Sequence, residues 1–324
     1  MNGARGTASA TFAAIGTTVG VVCTEARALA CAVEFVRGRL GELDRAVSRF
    51  RPDSELAVIN SRSAQLLRTA PGARLRVAVN GTLAACLDAA MRAERMTGGL
   101  VSPSLGAELI ACGYDEDIEV VRARTGTPAA VRIGVPPRRQ VVFDADRGEL
   151  VLRAGTALDL GACAKAWAAD TISAELGAGS SGGFLVNLGG DIAAAGPPPP
   201  GGWAIGVRNW NDVVTQVVHS TDHAFATSST RLRTWVHGGV HRHHIIDPRT
   251  GQPARTRWAQ VTCAGPDAVQ ANAASTAAII LDECAPAWLT ARGVPARLTT
   301  ADHHVTTTPR WPNTAPAPRH RRAS

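Results

Sequence analysis

Apolar residues recur at helical spacing along EARALACAVEFVRGRLGELDRAVSRF, from Ala28 to Val47. The pattern predicts a helix of about 20 residues that closes before Arg51-Pro52. A second helix is predicted over 80–96 (NGTLAACLDAAMRAERM), stopped by Gly98-Gly99. Further helices are predicted from Ala162 to Leu176, from Ala271 to Leu281, and briefly over 286–293. The apolar period then shortens to strand-like runs: GFLVNL (183–188), WAIGVR (203–208), VVTQVVH (213–219), HHIID (243–247) and WAQVTCA (258–264). PPPPGG at 197–202 predicts a turn, and 126–140 a surface loop. Helices dominate the first half and strands the second, without regular β-α alternation. That excludes a doubly wound parallel sheet and predicts an α+β fold. No repeat and no Pro/Ser linker divides the chain, so one compact unit of two intertwined lobes is expected.

Composition narrows this picture. The chain has 324 residues, 45% of them apolar, which suits a globular protein. No window approaches the unbroken apolar run of roughly 20 residues that a membrane helix needs. The start, MNGARGTASATFAAIGTTVG, has no charged segment followed by a solid apolar core, so no signal peptide, no lipid anchor and a cytoplasmic location are expected. Seven scattered cysteines without a C-x-x-C pair predict reduced, mostly buried thiols. The net charge is +7, and Arg310, Arg319, Arg321 and Arg322 of the tail supply four of it. With aromatics at 4% and no basic stripe elsewhere, a nucleic-acid partner is not expected. Residues 1–11 are expected to be a flexible N-terminus and 309–324 a disordered basic tail. The 34 basic residues include a single lysine, Lys165, which singles out its surroundings.

That lysine sits in LDLGACAKAWAAD (158–170), about one turn into a predicted helix. Small residues at a helix N-terminus leave N–H groups open to a phosphate, which Lys165 could neutralise; an ordinary cap with a solvated lysine has the same pattern. In VNLGGDIAAAG (186–196), Asp191 either caps a Gly-Gly turn or meets a polar ligand. ATSSTRLR (226–233) gathers four hydroxyls without a G-x-S-x-G elbow, so it reads as a pocket wall or a strand end. In VHRHHIIDPRTG (240–251), His243 and His244 face opposite sides of a strand and cannot easily share a metal. A strand-end histidine beside an Asp-bearing turn is a candidate general base, and a solvated histidine run is the alternative. In AVQANAASTAAIILD (268–282), Asn272 and Thr276 share one helix face with Ser275 beside them. These are either oxygen ligands for a hard cation or small residues for close packing.

Together and in this order, these stretches resemble the FAD:protein FMN transferase family, the ApbE-type flavin transferases. The resemblance also draws on AIGTTVG, SRFRPDSELAVIN and TGGLVSPSLG, and spans residues 12 to 300. Its most specific parts are D-L-G-x-x-x-K, N-L-G-G-D-I, A-T-S-S and H-I-I-D-P-R-T-G. It implies a T-fold-related α+β domain over 12–308 with an antiparallel sheet and packed helices. It also implies binding of FAD with Mg²⁺, and transfer of FMN to a Thr or Ser hydroxyl of a target FMN-binding domain with release of AMP. Some members hydrolyse FAD to FMN and AMP instead, and some hold it.

Carried over residue by residue, the resemblance places Ile15, Phe50, Leu100, Val101, Ser102, Asp159, Lys165 and Ile246 at the FAD. Ile15 stands where methionine is usual, Phe50 where tyrosine is, and Leu100, Val101 and Ser102 where the family has G-A-F-D. It makes His244 the base, with Asp247 orienting it or holding the turn. It places the carbonyl of Ala162, Ser275 and Thr276 at the metal, with Asn272 in place of the family's metal-binding aspartate.

Overall fold

A computed structural model describes residues 6–79, 81–124 and 141–312. The predicted loop over 126–140 lies outside the described residues. The backbone of the architecture is an eight-stranded sheet whose spatial order follows the chain. Its strands are Ala8–Ala14, Thr17–Cys23, Phe184–Leu188, Asp191–Ala195, Ala224–Ser229, Trp258–Gly265, Ala296–Thr300 and Val305–Thr307. Every neighbouring pair is antiparallel.

Between the second and third strands run six helices: α1 (Leu29–Val47), α2 (Glu55–Thr69), α3 (Gly81–Met96), α4 (Gly106–Ala111), α5 (Ile118–Arg122) and α6 (Ala164–Ala178). The later helices are α7 (Ala268–Leu281) and α8 (Ala285–Ala291). Helix α1 buries Ala32, Val36, Leu40, Leu43 and Ala46, a stripe at the helical period. Helix α7 presents no exposed face over Ala271 to Ile280, because all of these residues are buried. Its run of alanines lets it lie close between the sheet and α6, and fixes it as the central helix.

Two short hairpins set the floor of the site. Gly189 and Gly190, at φ +68° and +100°, join strands that pair as Leu188↔Asp191. That is the two-residue turn whose twist suits antiparallel strands and which demands positive φ. A Cβ on Gly189 would lie 2.1 Å from Thr17 Oγ1, so glycine is required for this approach. The first hairpin uses the same turn at Ile15 and Gly16, with Ile15 at φ +44°. A β-branched residue in the left-handed region costs on the order of 1–2 kcal/mol.

Three expectations are corrected. Ala8–Thr11 belong to the first strand, because pairing such as Ala8↔Cys23 and Thr11↔Gly20 orders them, so the expected flexible terminus does not include them. HHIID is not one strand: Val240–His243 pairs with Thr234–His237, the chain bends at His244, and Ile246–Asp247 pairs with Gln252–Pro253. The packed domain runs past Pro309, because Trp311 is buried against Phe225 and donates to Gln216 Oε1 at 3.0 Å. Residues 313–324, the rest of the expected basic tail, lie outside the described residues. Among the described residues no helix is long and apolar enough to cross a membrane.

Candidate active site

The C-terminal end of α1, the start of α6, one face of α7 and the bend at His244 surround a cavity of about 770 Å³. That is within the size range of small-molecule sites. Twelve sequence-predicted residues line it: Ile15, Phe50, Leu100, Val101, Ser102, Asp159, Ala162, Lys165, His244, Ile246, Asn272 and Thr276. Ser275 and Asp247 do not. Ser275 is fully buried one layer behind, hydrogen-bonded to Ser228 Oγ at 2.8 Å and donating to the Asn272 carbonyl. The Asp247 carboxylate accepts the Arg249 backbone N–H at 2.9 Å and pairs with its guanidinium, while its carbonyl closes the Thr250-Gly251 turn. Asp247 therefore holds the turn, and nothing places it against the His244 ring.

The polar centre is a chain of contacts that the sequence did not fully disclose. Lys165 Nζ lies 3.4 Å from Asp191 Oδ2, and Asn272 Nδ2 donates to Asp191 Oδ1 at 2.7 Å. Asn272 Oδ1 in turn faces Thr276 Oγ1 at 3.5 Å, and Thr276 meets Ser228 Oγ at 2.9 Å. Asp191 is thus the carboxylate that links the lone lysine to α7. Its only sequence signal was its position after the Gly-Gly turn.

A second cluster joins the loop after α1 to the loop before α6. Arg49 donates to Asp159 Oδ2 at 2.8 Å and to the Tyr114 carbonyl at 2.7 Å. Its guanidinium lies 4.4 Å from the Phe50 ring centre. Asp159 Oδ1 accepts the Gly161 N–H at 2.8 Å, which fixes the approach to α6. Tyr114, the one tyrosine of the chain, stacks on Trp235 at 5.1 Å and meets Phe50 at 5.4 Å. Neither Arg49 nor Tyr114 carried a spacing signal, since both reach the site from loops. Ser102 donates to Glu94 Oε1 at 2.7 Å, so a carboxylate stands close behind the position where the resemblance marks one as lost.

His244 lines the cavity wall and is half-buried. Burial pushes its pKa well below the usual imidazole range, and the charges of Arg233, His243 and Lys165 push it the same way. A hydrogen bond to the Arg233 backbone opposes them. Nδ1 is enclosed and, among the described residues, has no hydrogen-bond partner. His243 turns away and sits 3.0 Å from the Ala254 carbonyl, so the two histidines separate as the strand pattern predicted, though a bend separates them.

The oxygen donors at the cavity wall bear on Mg²⁺ binding. Asn272 Oδ1 and Thr276 Oγ1 are hard oxygens on one helix face, both at the cavity wall. The neighbouring carboxylate, Asp191, is engaged by Lys165 and Asn272, and no cluster of three His, Cys, Asp or Glu occurs among the described residues. Such a set fits a cation that is held largely by substrate phosphate oxygens and water.

The α+β domain with this antiparallel sheet is an architecture shared with solved ApbE structures. The fold superposes on the ApbE protein of Thermotoga maritima with a TM-score of 0.75 at 23% identity, covering 94% of this chain and 97% of that one. It superposes on the flavin transferase ApbE of Vibrio cholerae with a TM-score of 0.70 at 20% identity, covering 94% and 97%. The model of the ApbE family matches residues 15–298, and the chain belongs to that family. The FAD:protein FMN transferase of Treponema pallidum is 32% identical over 272 residues, which span 77% of this chain and 71% of that one. The corresponding Vibrio cholerae protein is 25% identical over 259 residues, spanning 75% and 71%.

Proposed function

We propose that this chain moves the FMN moiety of FAD onto a Thr or Ser hydroxyl of a partner flavoprotein and releases AMP. Membership of the ApbE family supports the reaction class, and relatives carry that name. The observation that carries the mechanism is the convergence, on one cavity, of His244, whose Nδ1 has no partner among the described residues, with Lys165 and hydroxyl-rich walls.

The chemistry is a phosphoryl transfer. The acceptor oxygen attacks the phosphorus on the riboflavin side of the diphosphate. The P–O bond to the AMP phosphate breaks, and the acceptor proton passes to the His244 imidazole. Lys165, held by Asp191, presents its ammonium to the diphosphate. Leu100, Val101, Ile15 and Phe50 offer apolar surface to the flavin ring. Tyr114 and Arg49 fix the Phe50 loop. Mg²⁺, when bound, would sit against the Ala162 carbonyl, Asn272 and Thr276 and neutralise charge on the leaving phosphate. Water entering in place of the acceptor gives hydrolysis to FMN and AMP. The second reading, an FAD-binding protein without turnover, draws on one feature: position 272 carries a neutral amide turned toward Asp191.

The variant His244→Ala tests the assignment. Flavin fluorescence quenching should report FAD binding within about threefold of wild type, while AMP release falls by at least about a hundredfold. Undiminished AMP release would move the base elsewhere.

A further inference from the structure

The cations around the cavity are unevenly satisfied. Arg49 pairs with Asp159, Lys165 with Asp191, Arg122 with Glu119, and Arg51 with Asp44 and Asp53. Arg233 differs. It lines the same cavity and is half-buried, yet among the described residues its guanidinium has no ion pair and no hydrogen bond. It also follows the A-T-S-S strand and holds the His244 ring through its backbone, so its position is tied to that of the base.

A half-buried guanidinium that has no ion pair among the described residues, on a cavity wall shared with His244, is an arrangement that an anionic ligand completes. The lysine cannot supply this alone, because Asp191 already matches its charge. A diphosphate brings two negative charges into a cavity where Arg233 is the cation left without a protein partner among the described residues. The planar fork of arginine suits two oxygens on one phosphorus.

We propose that Arg233 is a catalytic residue that donates to the non-bridging oxygens of the phosphoryl group being transferred. The proposal rests on the flavin-transfer reading of the site. During the step, the acceptor O–P bond forms and the P–O bond to AMP breaks. The proton leaves to His244, and Arg233 neither gains nor loses one. The guanidinium stabilises charge on the equatorial oxygens as that transfer proceeds.

The test compares wild type, Arg233→Met and Arg233→Lys, with FAD and riboflavin as probes. Riboflavin has the ring but no phosphate. Arg233→Met should weaken FAD binding about tenfold and lower kcat for AMP release by about a hundredfold. Arg233→Lys should recover part of both. Riboflavin affinity and the melting temperature of the ligand-free protein should stay at wild-type values in both variants. Unchanged FAD affinity in Arg233→Met would overturn the proposal. So would an equal loss of FAD and riboflavin affinity, because that marks a structural role. Wild-type protein that binds FAD but releases no AMP defeats the transfer reading instead, and the FAD-against-riboflavin comparison still decides the phosphate contact.

Discussion

Asn272 shows how one atom changes the charge balance of the site. Its Nδ2 satisfies Asp191 Oδ1, so the carboxylate is paired on both oxygens when no cation is present. An aspartate at 272 would set two carboxylates against one lysine, with a donor exchanged for an acceptor. Asn272→Asp should therefore lower the stability of the metal-free protein by about 1–3 kcal/mol. Added Mg²⁺ should restore it, and the Mg²⁺ concentration for half-maximal AMP release should fall. Melting temperatures with and without Mg²⁺ check this. A metal-free variant as stable as wild type would show that position 272 does not feel Asp191. Residue spacing alone exposed the α7 face of Asn272 and Thr276, because four residues make one helical turn. It could not expose the amide's partner, because Asp191 lies 81 positions away on a strand.

At the scale of elements, α7 is held at its N-terminus by two carboxylates. Asp267 accepts from Gln270 N, and Asp170 of α6 accepts from Ala268 N at 2.8 Å and Val269 N at 3.1 Å. Burial raises the Asp170 pKa to about 6 from an ordinary 3.8, and the two backbone donors only partly oppose it. The sign follows from the raised folded value. This group's contribution to stability is fully present below 3.8 and is lost as pH rises through about 6, by up to about 3 kcal/mol. Asp170→Asn removes the titration and gives up one of the two N–H contacts, costing about 1 kcal/mol. Urea midpoints from pH 4 to 7 should show the variant gaining on wild type as pH rises. A constant gap would mean Asp170 does not titrate in this range. The same elements show what the sequence hid. The long amphipathic α1 was legible from its period, whereas α2 was not drawn out at all. The first two strands were missed as well, since their alternation of small residues is faint.

At the scale of the whole molecule, the sheet runs in chain order while the site is assembled from distant loops. The order of short motifs disclosed the family, and the composition disclosed the lone lysine. Neither disclosed Arg49, Tyr114 or Arg233, which come from irregular segments that only the fold brings together. Trp311 closes the packed body, and Gln216 donates to the Pro312 carbonyl at 3.2 Å. The measurement that bears most directly on function is intact mass spectrometry of a threonine-bearing FMN-binding domain incubated with this chain, FAD and Mg²⁺. The account predicts an acceptor heavier by FMN less one water, with one AMP released per adduct. An unmodified acceptor, with either free FMN or intact bound FAD, would contradict it.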